Sequence, residues 1–395
     1  MKNFAKILCV VLALVMALTA ASCSMSKQFA YQKDDVELPI GTYILYLQQA
    51  YNQAQGFAQK SDLYDSEKGT YDGKKSFLKM EITDDDGETA VAEDWIIKKA
   101  EDLTIDAIAG MNKAKELGCT LDEAAVADTK EQIKSFWDQG YGEQYEQYGI
   151  GMESLIALSN ASTMRDAAFH KQYSAEGPTP VSDEELAKYF TENYTSYKYF
   201  SANLYTSTTA TDGAEEGSDT AQTVDTPLSD EEIAKYQKDF EGYASTLSGG
   251  GSFDDVLKQY MEAYNVTEDP HTENVAVLDD SATDEVMKTI KEMKDGQAMT
   301  ITVGDDADSK QIYLIYREPI EKQVDAYTKT EEPKAEATGD EAAPDTTAES
   351  NRDTVLEKMK SDEFDELMKK YAKDAGIALS SACKNYKPSM FEATK

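Results

Sequence analysis

One long apolar run, Ile7 to Ala21, lies near the start of the chain, and after it the hydrophobic pattern turns periodic. Behind Pro39, Tyr43, Leu47, Tyr51 and Ala54 recur at three- and four-residue intervals, with Ile44 beside them, and predict an amphipathic helix. Trp95, Leu103, Ala107, Met111 and Ala114 trace a second stripe through a helix over about 88–117, which Gly118 stops. Thr120 and Glu123 have the spacing of a capping box and open a helix to about Trp137. Another helix runs from about Met152 to Tyr173, after a Tyr/Gly loop over 140–149 whose tyrosines read as caps on a helical core, with a binding loop as the alternative. Residues 59–87 are polar, and Asp84-Asp85-Asp86-Gly87 lacks the spacing of a calcium loop and reads as a turn.

Pro178 and Pro180 mark a change of pattern. Ser182/Glu185 and Ser229/Glu232 are capping boxes in nearly the same words, and Tyr199 to Thr206 between them alternates like a strand. A helix begins at Gly249-Gly-Gly-Ser-Phe253 and reaches about Tyr264; 284–293 is helical; 275–278, 299–303 and 311–316 are strands. The order β-α-α-β-α-β-β describes a small α+β domain over 182–322. Residues 208–226 carry no basic residue and predict a disordered insertion, and 328–352 is an acidic Glu/Ala/Thr/Pro linker. Leu356, Met359, Leu367, Met368 and Tyr371 line one side of a last helix over 353–375. A lone helix cannot bury its face, so segment 353–395 is expected to pack on the helical domain of 37–177. The predicted fold is α+β: a discontinuous helical domain of N- and C-terminal segments around an inserted α+β domain.

Composition narrows the function. A formal charge of −36 on 395 residues excludes a nucleic-acid binder, since no basic stripe offsets it. With 24 Tyr, 12 Phe and 2 Trp the chain has too many aromatics to lack a core. Two His and four Cys leave little for a zinc site, and no metal or cofactor is expected. No Gly-x-Ser-x-Gly, Ser/His/Asp arrangement or phosphate loop is present. His170 and His271 stand alone and read as surface or cap residues.

Lys2, Lys6 and the short apolar core make residues 1–22 a secretory signal, too short for a comfortable membrane span. Its end, Ala20-Ala21-Ser22-Cys23, resembles a bacterial lipoprotein signal, with Ala20 where that signal usually has Leu. The resemblance implies lipid on Cys23, a tether over 23–36, and a soluble body held at the extracytoplasmic face of the bacterial cell membrane. Cys119 and Cys383 then remain, as a disulfide or as two small buried hydrophobes.

The arrangement resembles the parvulin-type foldases of the PrsA/SurA kind. The pieces that carry it are the lipoprotein start, the Ser-Asp-Glu-Glu helix before Tyr199, and Gly251-Ser-Phe-Asp-Asp-Val256. Met293-Lys-Asp-Gly296-Gln and the strand at Ile312 to Tyr316 add to it. The resemblance implies a helical chaperone domain around a parvulin domain, in which two histidines on adjacent strands hold a hydrogen-bond network over an X–Pro amide. Those positions fall on Ala202 and Tyr313, so the module is expected to be catalytically dead. The implied function is a chaperone or foldase whose partners are unfolded secreted proteins, with a homodimer as a further expectation. The alternatives are an active peptidyl-prolyl cis-trans isomerase, and an envelope scaffold or ligand-binding lipoprotein.

Overall fold

The computed structural model describes residues 28–61, 64–65, 70–71, 75–210, 222–277, 284–329 and 351–392. The signal over 1–22, Cys23 and the start of the expected tether lie outside them. The chain divides into two compact units: residues up to Pro180 together with those from Asp362 onward, and Val181–Ser361.

The first unit starts with an antiparallel hairpin, β1 (Phe29–Lys33) and β2 (Val36–Pro39). This corrects the expected tether. Ala30, Tyr31, Val36 and Leu38 point into the core, and Asp34 turns the chain with φ 53°. Pro39 leads straight into α1 (Ile40–Gln59), because its fixed φ suits a helix start. The stretch expected to be merely polar contains three two-residue strands, β3 (Tyr64–Asp65), β4 (Thr70–Tyr71) and β5 (Lys75–Ser76). A hairpin follows, β6 (Glu81–Thr83) and β7 (Thr89–Val91), with Gly87 at φ 82° in its turn. Phe77, Leu78, Met80 and Ile82 from this stretch are buried.

The long helix α2 (Ala92–Glu116) packs on α1. Next comes α3 (Glu123–Phe136), whose cap is Asp122 and not Thr120: the Asp122 carboxylate accepts from the amides of Ala124 and Ala125. A wide turn, Trp137–Tyr141, joins it to the short α4 (Gly142–Glu146), where a loop was expected. Then α5 (Met152–Tyr173) packs on α2. Helices cross closely where side chains are small. Thr42 donates to the Ser154 carbonyl at 3.0 Å, and a Cβ on Gly41 would stand 2.2 Å from Ser154 Oγ.

The second unit opens with α6 (Asp183–Asn193), whose Ser182/Glu185 box forms reciprocally. Its sheet is four antiparallel strands in the order β11-β8-β13-β12: β8 (Thr195–Asn203), β11 (Thr272–Ala276), β12 (Ala298–Val303) and β13 (Gln311–Glu318). Between β8 and β11 come a hairpin, β9 (Tyr205–Ala210) and β10 (Gln222–Pro227), then α7 (Asp230–Ser248) and α8 (Phe253–Tyr264). The expected disordered insertion is therefore bounded by paired strands, and its residues 211–221 lie outside the described ones. A short helix, α9 (Glu285–Glu292), precedes β12.

After the sheet, α10 (Val324–Thr328) reaches the start of the expected linker, where Tyr327 stacks on Phe190 at 5.1 Å; residues 330–350 of that linker lie outside the described ones. The last helix, α11 (Asn351–Asp374), begins in the second unit and ends in the first. Only the part from Asp362 onward thus joins the N-terminal helices, a difference from the expected boundary at 353. There Phe364 and Met368 are fully buried, and the tail brings Cys383, Met390 and Phe391 to the core around Tyr43, Leu47 and Ile96. Among the described residues, no helix is long and apolar enough to cross a membrane.

Candidate functional site

The register of the second unit's sheet decides what its two faces hold. Ala202 pairs with Ile312, and Tyr313 with Ser201. Side chains alternate between faces along a strand, so a one-residue offset puts Ala202 and Tyr313 on opposite sides. The carry-over of two facing histidine positions onto these residues is thereby corrected. Ala202 lies under α7 and α8, in a core with Phe200, Phe240 and Phe253. Tyr313 lies on the α9 side, with Tyr197, Tyr199, Ile301 and Ile315. Cross-strand partners elsewhere agree with this register. Lys198 and Glu273 are paired residues and form an ion pair of 3.1 Å; Ser196 and Glu318 are paired and lie 3.4 Å apart.

The α9 face is apolar at one end and polar at the other. Val286, Ile290 and Met293 cover Tyr197 and Ile315. Toward the far end the tyrosines of β8 and β13 approach each other, Tyr199 and Tyr313 at 6.0 Å between ring centroids. The Tyr313 hydroxyl donates to Gln311 Oε1 at 2.7 Å, and Gln311 Nε2 donates to Asn203 Oδ1 at 2.9 Å. Burial raises the Tyr313 phenol above its ordinary value, and the nearby Tyr199 and Asp284 push the same way. At neutral pH it is a donor and not a base. Among the described residues, the face offers hydroxyls, amides and ring surface, and no imidazole.

The only histidine of this unit, His271, lies elsewhere, beside Phe253 on the α8 side. Its Nδ1 and its backbone amide both meet Asp269 Oδ1, at 2.5 and 3.0 Å, and this pairing lowers the Asp269 carboxyl below its ordinary value. A cleft of about 590 Å³ runs between these two residues and Leu257, Met261 and Glu262 of α8. His170 lies in α5 of the first unit, 3.3 Å from Asp166.

Cys119 and Cys383 are free thiols, so the disulfide weighed for them does not form. Each has its own neighbour: Cys119 Sγ lies 3.5 Å from the Ala167 carbonyl, and Cys383 Sγ 4.0 Å from that of Ala30. Burial pushes the Cys383 thiol up to about 11, which keeps it protonated and unreactive at neutral pH.

The first unit contributes a second region, which overlaps the Tyr/Gly loop over 140–149. Helix α3 has no buried residue, although it carries Val126, Ile133 and Phe136. It continues into Trp137, Tyr141 and Tyr145; Tyr141 and Tyr145 pack on Phe136, and Trp137 packs on Tyr145. Of the tyrosines over 140–149, Tyr148 caps the helical core as expected, 5.1 Å from the Phe391 ring, whereas Tyr141 and Tyr145 join Phe136 and Trp137 in a cluster at the end of an arm.

No model of a known protein family matches the chain. No curated protein matches it. The solved structures that are similar include two foldases. The crystal structure of foldase protein PrsA from Streptococcus pneumoniae is 16% identical, the match spanning 77% of this chain and 97% of that one at a TM-score of 0.32. That of the foldase protein PrsA from Lactococcus lactis is 13% identical, spanning 75% and 88% at 0.28. At these values the likeness assigns neither residues nor chemistry. What remains decisive is local: a sheet face without paired imidazoles, and an arm of half-exposed rings.

Proposed function

We propose that the protein is a membrane-tethered extracytoplasmic chaperone that holds non-native polypeptides, with a parvulin-like sheet unit that performs no isomerisation. Cys23 carries the lipid, and clients are secreted chains not yet folded. The arm is the observation that carries this reading. A helix whose apolar side chains are at most half-buried, ending in four aromatic rings, offers adaptable surface to an unfolded segment. The strong net negative charge keeps such a surface soluble.

The non-catalytic part rests on the sheet. Twisting an X–Pro amide needs a hydrogen-bond network over the bond, and the barrier without it is about 20 kcal/mol. Ser201 and Tyr313 face each other on the α9 side with no imidazole beside them, and the unit's one histidine is on the other side of the sheet.

Aggregation of a reduced client is the test. Residues 24–395, present at several-fold excess, are expected to suppress light scattering, and unchanged scattering would sink the chaperone reading. In a proline-limited refolding assay the same protein is expected to leave the slow phase unchanged. Clear acceleration would return catalysis to the sheet.

A further inference from the structure

The ring cluster at the end of α3 is built by two glycines. Gly140, at φ 93°, turns the chain so that Tyr141 lies back on Phe136, with centroids 4.8 Å apart and planes within 6°. Gly142 lies against the Trp137 indole, where a Cβ would stand 2.4 Å from Nε1. The indole in turn stacks on Tyr145 at 6.0 Å. Although packed on each other, the rings stay accessible: Tyr141 is 47% exposed and the other three are half-buried.

Carboxylates outnumber cations along this stretch of chain, and one of them touches the rings. Between Glu123 and Gly149 there are six acidic residues and two lysines, and Lys134 is already paired with Asp138. Glu146 Oε1 accepts from Trp137 Nε1 at 3.2 Å, which fixes a negative charge at the edge of the indole. Ring faces attract cations, and a carboxylate beside them completes the recognition of a guanidinium or an ammonium. An acidic segment meets repulsion instead, and so does a second copy of the same acidic arm. We propose that this cluster binds polypeptide segments in which arginine or lysine stands next to apolar residues. The proposal rests on the polypeptide-binding reading above and names the class of segment it favours.

The chain has two tryptophans, so Trp95→Phe in residues 24–395 leaves Trp137 as the sole indole reporter. Two short peptides without aromatic residues are titrated, one alternating leucine and arginine, the other leucine and glutamate. The arginine peptide is expected to change Trp137 emission saturably and to bind at least about tenfold more tightly, a preference that salt erodes as it screens exposed charges. Glu146→Gln and Tyr141→Ala are each expected to weaken it several-fold. If Trp95→Phe fails to fold, anisotropy of the labelled peptides on the unsubstituted chain and on Tyr141→Ala gives the same comparison.

Equal affinity for the two peptides overturns the proposal. Arginine-peptide binding that leaves Trp137 emission and both variants unaffected also overturns it. Emission that shifts with protein concentration alone overturns it in favour of a contact between copies. Aggregation suppression without the arginine preference sinks this proposal and spares the chaperone reading. The preference without suppression does the reverse.

Discussion

Gly110 sits where α2 meets α5, and a Cβ there would lie 2.7 Å from the Cβ and Cγ of Arg165 and 3.1 Å from its Cα. Arg165 cannot retreat easily. Its Nε donates to Asp106 at 2.6 Å, an Nη donates to Asp365 at 2.5 Å, and its guanidinium lies over the Phe364 ring. Gly110→Ala is therefore expected to destabilise the first unit by about 1–3 kcal/mol, the usual cost of overpacking. The midpoint of its unfolding in urea checks this, and an unchanged midpoint would mean that the crossing is looser than the distances imply. The residue scale is also where the sequence was least legible. Ala202 and Tyr313 can be placed on strands from their neighbours, but their faces depend on a pairing register that no local pattern states. A slip of one residue exchanges every inward and outward side chain.

Elements with purely local causes were readable in advance. The Ser229/Glu232 box that starts α7 forms as its spacing predicts, because both partners lie within one turn. Glu232 is held below its ordinary value by hydrogen bonds from the Ser229 hydroxyl and amide, and Glu185 likewise by Ser182. A lowered carboxyl stabilises the fold fully above its unfolded value and loses that contribution as pH falls through the folded one. Both caps should thus weaken below about pH 4.5, and Glu232→Gln should remove that step at α7 alone, as followed by NMR of the first-turn amides. Ser229→Ala should cost about 1 kcal/mol at neutral pH. Thr120 shows the limit of such signatures. Its box is spelled correctly, but Asp122 is nearer the helix start and takes the amides. The hairpin of β1 and β2 escaped notice because Lys33, Asp34 and Asp35 interrupt its few inward residues.

At the scale of the molecule, the two units differ in how their chain is drawn. The second is contiguous, Val181–Ser361, with its own sheet and helices. The first needs Phe364, Met368 and Cys383 from the other end of the sequence. Expressed alone, residues 181–361 are expected to melt cooperatively with mixed helix and strand circular dichroism. The segment up to 180 is expected to bind a hydrophobic dye and melt without a clear transition until a peptide of 362–392 is added. A sharp melt without the peptide would show the tail to be dispensable. The contribution of the far end was visible as an unpartnered helix face, but the dividing point at Asp362, inside a continuous helix, had no sequence sign.

The Ala30 carbonyl, near the beginning, receives its hydrogen bond from the amide of Ser380, 2.8 Å away. Whether emerging from a ribosome or threading through a pore, the polypeptide must therefore finish its middle before its opening. Until the final residues are released, the hairpin and α1 wait with their greasy sides uncovered. On the proposed reading, a holder of other chains would itself pass through a stage of needing help, and its maturation would stall at any stop codon placed shortly before the end.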